Sequence, residues 1–155
     1  MEVHTILWPT DLSKNSLKAA KQVVSLADKY QAKVILLYVG VDLMNFFPAY
    51  GSYPSEGHLK HFQSWELEHA KKRMEAICDK DLKACPNVQV RLVQGDAAAE
   101  ILKSVKQEKA DLMVLTTHGR GHEELDQASP TFGSVAEKVI KNSPVPVHLV
   151  NPLNM

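Results

Sequence analysis

The 155-residue sequence predicts an α/β fold: one doubly wound, five-stranded, mostly parallel sheet of Rossmann-like type with helices on both faces. Three observations predict it. Short runs of β-forming apolar residues alternate with longer stretches of helical periodicity, in the order β-α-β-α-β-α-β-α-β. The run Val34–Val39 is apolar throughout rather than alternating, as a strand covered on both faces requires. No linker or compositional break interrupts the order, so residues 1–155 read as one domain. Parallel neighbours need crossover connections, and the intervening helices supply them.

In chain order, Thr5-Ile6-Leu7-Trp8 reads as a short buried strand that Pro9 ends. From Ser13 to Tyr30, Leu17, Ala20, Val24 and Ala27 recur at helical spacing beside Val23 and Leu26, and Ser13 suits the N-cap. Val34–Val39 is the second strand. Residues 42–57 mix Pro48, Gly51, Pro54 and Gly57 with Phe46, Phe47, Tyr50 and Tyr53. That composition is a loop, and its aromatic residues suit either a lid or a partner surface. A long helix follows from about Leu59 to Lys83, with Phe62, Trp65, Met74 and Ile77 near helical spacing. Val88–Val93 is the third strand, closed by Gly95. Ala97–Gln107 is a helix with Ile101, Leu102 and Val105 on one side and Asp96 as its cap. Leu112–Leu115 is the fourth strand. Ser134–Lys141 is the last helix, where Ser134-Val135-Ala136-Glu137 matches a capping box. Pro144 stops it, and Val145–Val150 is the fifth strand.

Eighteen basic residues balance eighteen acidic ones, which argues against a broad polyelectrolyte surface for nucleic acid. Hydrophobic residues make up 45% of the chain, yet no run is long enough to span a bilayer. Met1-Glu2-Val3-His4 lacks the basic start of a signal peptide, so a cytoplasmic protein is expected. Cys78 and Cys85 lie seven residues apart. If both were helical they would stand two turns apart, too far for a disulfide, so reduced and partly buried thiols are expected.

In open parallel sheets, ligands bind beyond the carboxyl ends of the strands, where the strand order reverses. Here those ends carry Pro9-Thr10-Asp11, Val39-Gly40, Gly95-Asp96 and Thr116-Thr117-His118-Gly119-Arg120-Gly121. The last of these leaves a strand and, after a polar stretch, reaches Gly133-Ser134-Val135 at the start of a helix. Glycines let the backbone approach oxyanions, and a helix start offers free amides and the positive dipole end. Other readings of the same residues are structural. Asp11 suits a turn or cap, Ser134 a helix cap, and Arg120 a solvated loop. His118 and His122 with Glu123 and Glu124 resemble a metal set, but Gly119 and Gly121 disfavour the helix that such spacing needs. No intrinsic metal is expected. No Gly-x-Ser-x-Gly elbow supports a hydrolase triad of Ser134, His118 and Asp11, and neither a Walker A loop nor Gly-x-Gly-x-x-Gly is present.

Together these segments resemble the universal stress proteins of the UspA superfamily. The opening Ile6-Leu7-Trp8-Pro9-Thr10-Asp11-Leu12-Ser13, the strands Leu36–Val39 and Val93-Gln94-Gly95, and Asp111–Gly121 carry the resemblance. So do Gly133-Ser134-Val135-Ala136-Glu137 and Ser143-Pro144-Val145-Pro146-Val147, so it runs the length of the chain. It implies an adenine nucleotide alpha hydrolase-like fold, a homodimer paired through the last strand, Val145–Val150, and a role in stress response or signalling. It also implies ATP, with or without Mg²⁺, bound by Pro9, Thr10, Asp11 and Val39 at base and ribose. Leu115, Thr116, His118, Gly119, Arg120, Gly133, Ser134 and Val135 would lie along ribose and phosphates. Hydrolysis would be slow at most. ATP-binding members carry Gly-x2-Gly-x9-Gly-Ser/Thr. Here Thr116 holds the first glycine position, and thirteen residues separate Gly119 from Gly133. The alternative is a dimeric stress adaptor that binds no nucleotide.

Overall fold

The computed structural model describes residues 2–40, 56–118 and 133–154. The chain order is β1 (Thr5–Thr10), α1 (Lys14–Leu17), α2 (Ala20–Tyr30), β2 (Lys33–Gly40) and α3 (Glu56–Lys80). Then come β3 (Asn87–Gln94), α4 (Ala97–Gln107), β4 (Leu112–Thr116), α5 (Ser134–Asn142), β5 (Val147–Val150) and a 3-10 turn over Pro152–Asn154. All pairings are parallel, in the spatial order β3-β2-β1-β4-β5. The chain thus builds outward from β1 to one edge and returns to the other side of β1. The order reverses between β1 and β4.

Strand alternation divides the core between the two faces. Ile6, Trp8, Val34, Leu36 and Val114 meet Val23 of α2 and Met74 and Ile77 of α3. Leu7, Ile35, Leu37, Met113 and Leu115 meet Ile101 and Val105 of α4 and Val139 of α5. Burying each such side chain is worth about 1.5–3 kcal/mol, so both helical layers are strongly bound to the sheet. No helix among the described residues is long and apolar enough to cross a membrane.

Three local expectations are corrected. β1 does not end at Pro9 but runs through it to Thr10, paired with β2 along its length. Its ladder with β4 stops at Leu7, two residues before the proline that has no N–H to give. The helix expected over Ser13–Tyr30 is two helices. At Lys18 and Ala19, i→i−3 bonds to Asn15 and Ser16 tighten the backbone, while Ser13 does cap α1 by accepting from the Ser16 amide at 3.1 Å. Ser134 does not open a capping box: Gly133 occupies the N-cap of α5, one residue earlier, and the Glu137 amide donates to its carbonyl. Cys85 lies beyond α3, in a turn where its amide donates to Leu82, and both cysteines are free thiols.

Phe62 and Trp65 face outward from α3, and Trp65 stacks on His69 with ring centres 5.3 Å apart. The buried stripe of that helix is carried instead by Ala70, Met74 and Ile77. The aromatic loop residues Phe46, Phe47, Tyr50 and Tyr53 lie outside the described residues.

Candidate functional site

The site forms where β1 and β4 end side by side, and the β1 exit forms one wall. Thr10 is buried, and its Oγ1 accepts from the Leu12 amide at 3.0 Å and the Ser16 hydroxyl at 2.8 Å. The chain then turns through Leu12, whose φ of 64° is left-handed, a conformation few non-glycine residues adopt. The turn brings the Ser13 amide to Asp11 Oδ1 at 2.9 Å. Asp11 is therefore oriented by its own backbone two residues on, an Asx turn. This also serves its reading as a turn residue, and the carboxylate still borders the cleft.

The second wall is the head of α5 docked against the exit of β4. The Thr117 amide donates to the Val150 carbonyl at 3.0 Å, tying β4 to β5, and the Thr117 carbonyl accepts from the Gly133 amide at 2.8 Å. That bond sets where α5 begins. Gly133 has φ −59° and ψ 146°, a conformation open to any residue, so backbone strain does not explain the glycine. A Cβ there would meet the Thr117 carbonyl oxygen at 3.5 Å, an ordinary contact.

Between these walls lies a cleft of about 240 Å³. Pro9, Thr10, Asp11 and Ser16 line it from β1 and the start of α1, and Gly133, Ser134 and Val135 from the head of α5. Leu37, Val39, Ile101 and Leu115 supply apolar lining, and Thr116 lines the cleft as well. Among the described residues of this lining, Asp11 is the one charged side chain. The fold thus brings Pro9, Thr10, Asp11 and Val39 into one lining with Leu115, Thr116, Gly133, Ser134 and Val135.

His118 is not in the lining. It is buried beside the cleft, with Nδ1 2.7 Å from the Thr117 hydroxyl. Gly119, Arg120 and His122 lie outside the described residues. Sequence reasoning missed Ser16, Leu37, Ala97, Ile101 and Ala136, which also line the cleft. Leu37 had a findable signal, two residues before Val39 on the same face of its strand. Ser16, three residues into its helix, had none.

The universal stress protein family model matches residues 2–151. A universal stress protein of Methanocaldococcus jannaschii is 36% identical over 149 residues, covering 94% of this chain and 80% of its own length. The solved UspA of Lactobacillus plantarum superposes with a TM-score of 0.81 at 25% identity, covering 97% of this chain and 99% of its own. Two solved structures at lower identity share the fold. One is a universal stress protein in complex with cAMP (TM-score 0.59, 21% identity, 98% and 99% covered). The other is the Archaeoglobus fulgidus protein in complex with dAMP (TM-score 0.64, 16% identity, 97% and 100% covered). On the family match and the close relative, the chain belongs to the universal stress protein family.

Proposed function

We propose that the cleft binds an adenine nucleotide, ATP with Mg²⁺ in the first instance, and that the protein acts as a nucleotide-responsive stress or signalling dimer in the cytoplasm. One observation carries this reading: the Asp11 turn and the head of α5 border the same cleft at the point where strand order reverses. Base and ribose would lie over Val39 and Leu115 with Asp11 accepting from ribose or base. Phosphates would meet the first amides of α5 at Gly133, Ser134 and Val135, with Thr116 beside them, and Gly119 and Arg120 are proposed as further phosphate contacts. His118 backs this wall from the interior through its contact with Thr117.

The size of the cleft gives the pose its direction. About 240 Å³ is somewhat below the 300 Å³ or so at which pockets for drug-sized ligands begin. It suits a base and ribose enclosed, with phosphates running outward along α5. That two relatives of this fold are known in complex with cAMP and dAMP agrees with an adenine ligand.

Dimerisation is proposed through β5, which is an edge strand. The Met113 and Thr117 amides donate to the carbonyls of Pro146 and Val150. By alternation, Val147 and Leu149 present their N–H and C=O groups to the open edge, where a second copy would satisfy them.

Isothermal titration with ATP and Mg²⁺ tests the nucleotide reading. Binding that Asp11→Ala weakens tenfold or more is expected. Absence of heat at millimolar ATP defeats it and leaves the nucleotide-free adaptor, a reading favoured by Thr116 standing where the family pattern has glycine.

A further inference from the structure

We propose that Arg73, on the helix of the opposite sheet face, is a positioning residue for the cleft: it locks the peptide plane that orients Asp11. The inference rests on reading the cleft as a nucleotide site. Leu12 stands in the left-handed region at φ 64°, a conformation that persists in a non-glycine residue only where its surroundings hold it. Three contacts do so. Its side chain is buried in the core beneath α2 and α3, and its amide donates to Thr10 Oγ1. Its carbonyl accepts from the Arg73 guanidinium at 2.8 Å, across a separation of 61 residues. The first two contacts act on the side chain and the preceding peptide. Arg73 grips the plane that follows.

The Leu12 carbonyl and the Ser13 amide are two edges of one trans peptide unit and point in opposite directions. One edge is held by Arg73 Nη2 and the other donates to Asp11 Oδ1 at 2.9 Å. Rotation of that plane would break both bonds and take the Ser13 amide away from the Asp11 carboxylate. The bond to Arg73 is charge-assisted, the stronger kind of hydrogen bond. Arg73 is otherwise an exposed residue beside the buried Met74. α3 therefore reaches a site on the other side of the sheet through the Arg73 guanidinium.

The test compares Arg73→Met, Arg73→Lys and, as a control for loss of one positive charge on α3, Lys72→Met. Two quantities are read: hydrogen exchange at the Ser13 amide without nucleotide, and ATP affinity by titration. Arg73→Met is expected to speed Ser13 exchange and to weaken ATP binding about tenfold, the size of one charge-assisted bond. Arg73→Lys should restore part of both, and Lys72→Met should change neither. In an Asp11→Ala background, Arg73→Met should cost no further affinity. Ser13 exchange unaltered by Arg73→Met overturns the proposal, as does an affinity loss that persists undiminished without Asp11. Should the unsubstituted chain bind no ATP, the functional reading fails, while the exchange measurement still decides whether Arg73 holds the plane.

Discussion

Replacing Gly133 with alanine separates what the fold needs from what a ligand would need. The glycine N-caps α5 with φ −59° and ψ 146°, so alanine can adopt its backbone. The added methyl would meet the Thr117 carbonyl oxygen at 3.5 Å, with no other outside neighbour within 4 Å among the described residues. Two small effects oppose each other. Alanine is a poorer N-cap than glycine, at a cost of about 0.5–1 kcal/mol. It also narrows the unfolded ensemble, a gain of about 0.4–1 kcal/mol at a compatible site. The net is near zero, and Tm should move by less than about 2 °C in a chain of this size. A phosphate resting on the α5 amides would instead meet the new methyl at close range. ATP affinity should fall about tenfold, or roughly 1.4 kcal/mol. Differential scanning fluorimetry without nucleotide and titration with ATP and Mg²⁺ give the two numbers. Equal affinity with equal Tm would refute the idea that this glycine serves close backbone approach. A Tm loss beyond about 4 °C would refute the packing argument itself.

Ser13→Ala removes the side chain that accepts from the Ser16 amide, and should cost about 1 kcal/mol and lower Tm by about 2–4 °C. Leu149→Pro deletes an N–H facing the open edge of β5 while leaving the β4–β5 bonds at Pro146 and Val150 in place. Light scattering should then show a shift from dimer to monomer, and an unchanged mass would exclude pairing through β5. Burial foremost, then Asp79, Cys85 and Glu75, push the Cys78 thiol above the 9.0 of a free cysteine, and burial raises Cys85 as well. A group raised in the folded state contributes stability that is fully present below the unfolded value and lost as pH rises through the folded one. The urea midpoint should therefore drop above pH 9, and Cys78→Ala should reduce that drop. At neutral pH, iodoacetamide should modify Cys78 more slowly in the folded than in the unfolded chain.

The sheet was legible because its signals are local and redundant. Val34–Val39 could be little but a buried strand, and the Asp96 cap with Ile101 and Val105 fixed α4 to the residue. The misreadings share a cause: a local rule was met by a non-local partner. Pro9 is a strand breaker in isolation, yet it sits where the β1–β4 ladder has already ended. Ser134 and Glu137 have the spacing of a capping box. Thr117, sixteen residues before Gly133, draws its amide into a bond and starts the helix one residue sooner.

The cleft was legible in a different way. The rule that strand ends converge where strand order reverses brought Asp11 and the exit of β4 together, and the resemblance to the universal stress proteins added Gly133. Topology says nothing about what orients a side chain there. The orientation of Asp11 depends on a left-handed leucine, and leucine advertises no such conformation in sequence. The residue that holds it, Arg73, looks like one more solvated cation among Lys71, Lys72 and Glu75 on a charged helix. Recognising it requires that α3 pack on the far face of the sheet, that Leu12 be buried under it, and that one peptide plane be shared by two donors and acceptors. Each of these is a consequence of the fold and none is a property of the Arg73 neighbourhood in the chain. A site residue can thus be predicted from where its strand ends, whereas the residue that aims it becomes visible only once the helices have been placed.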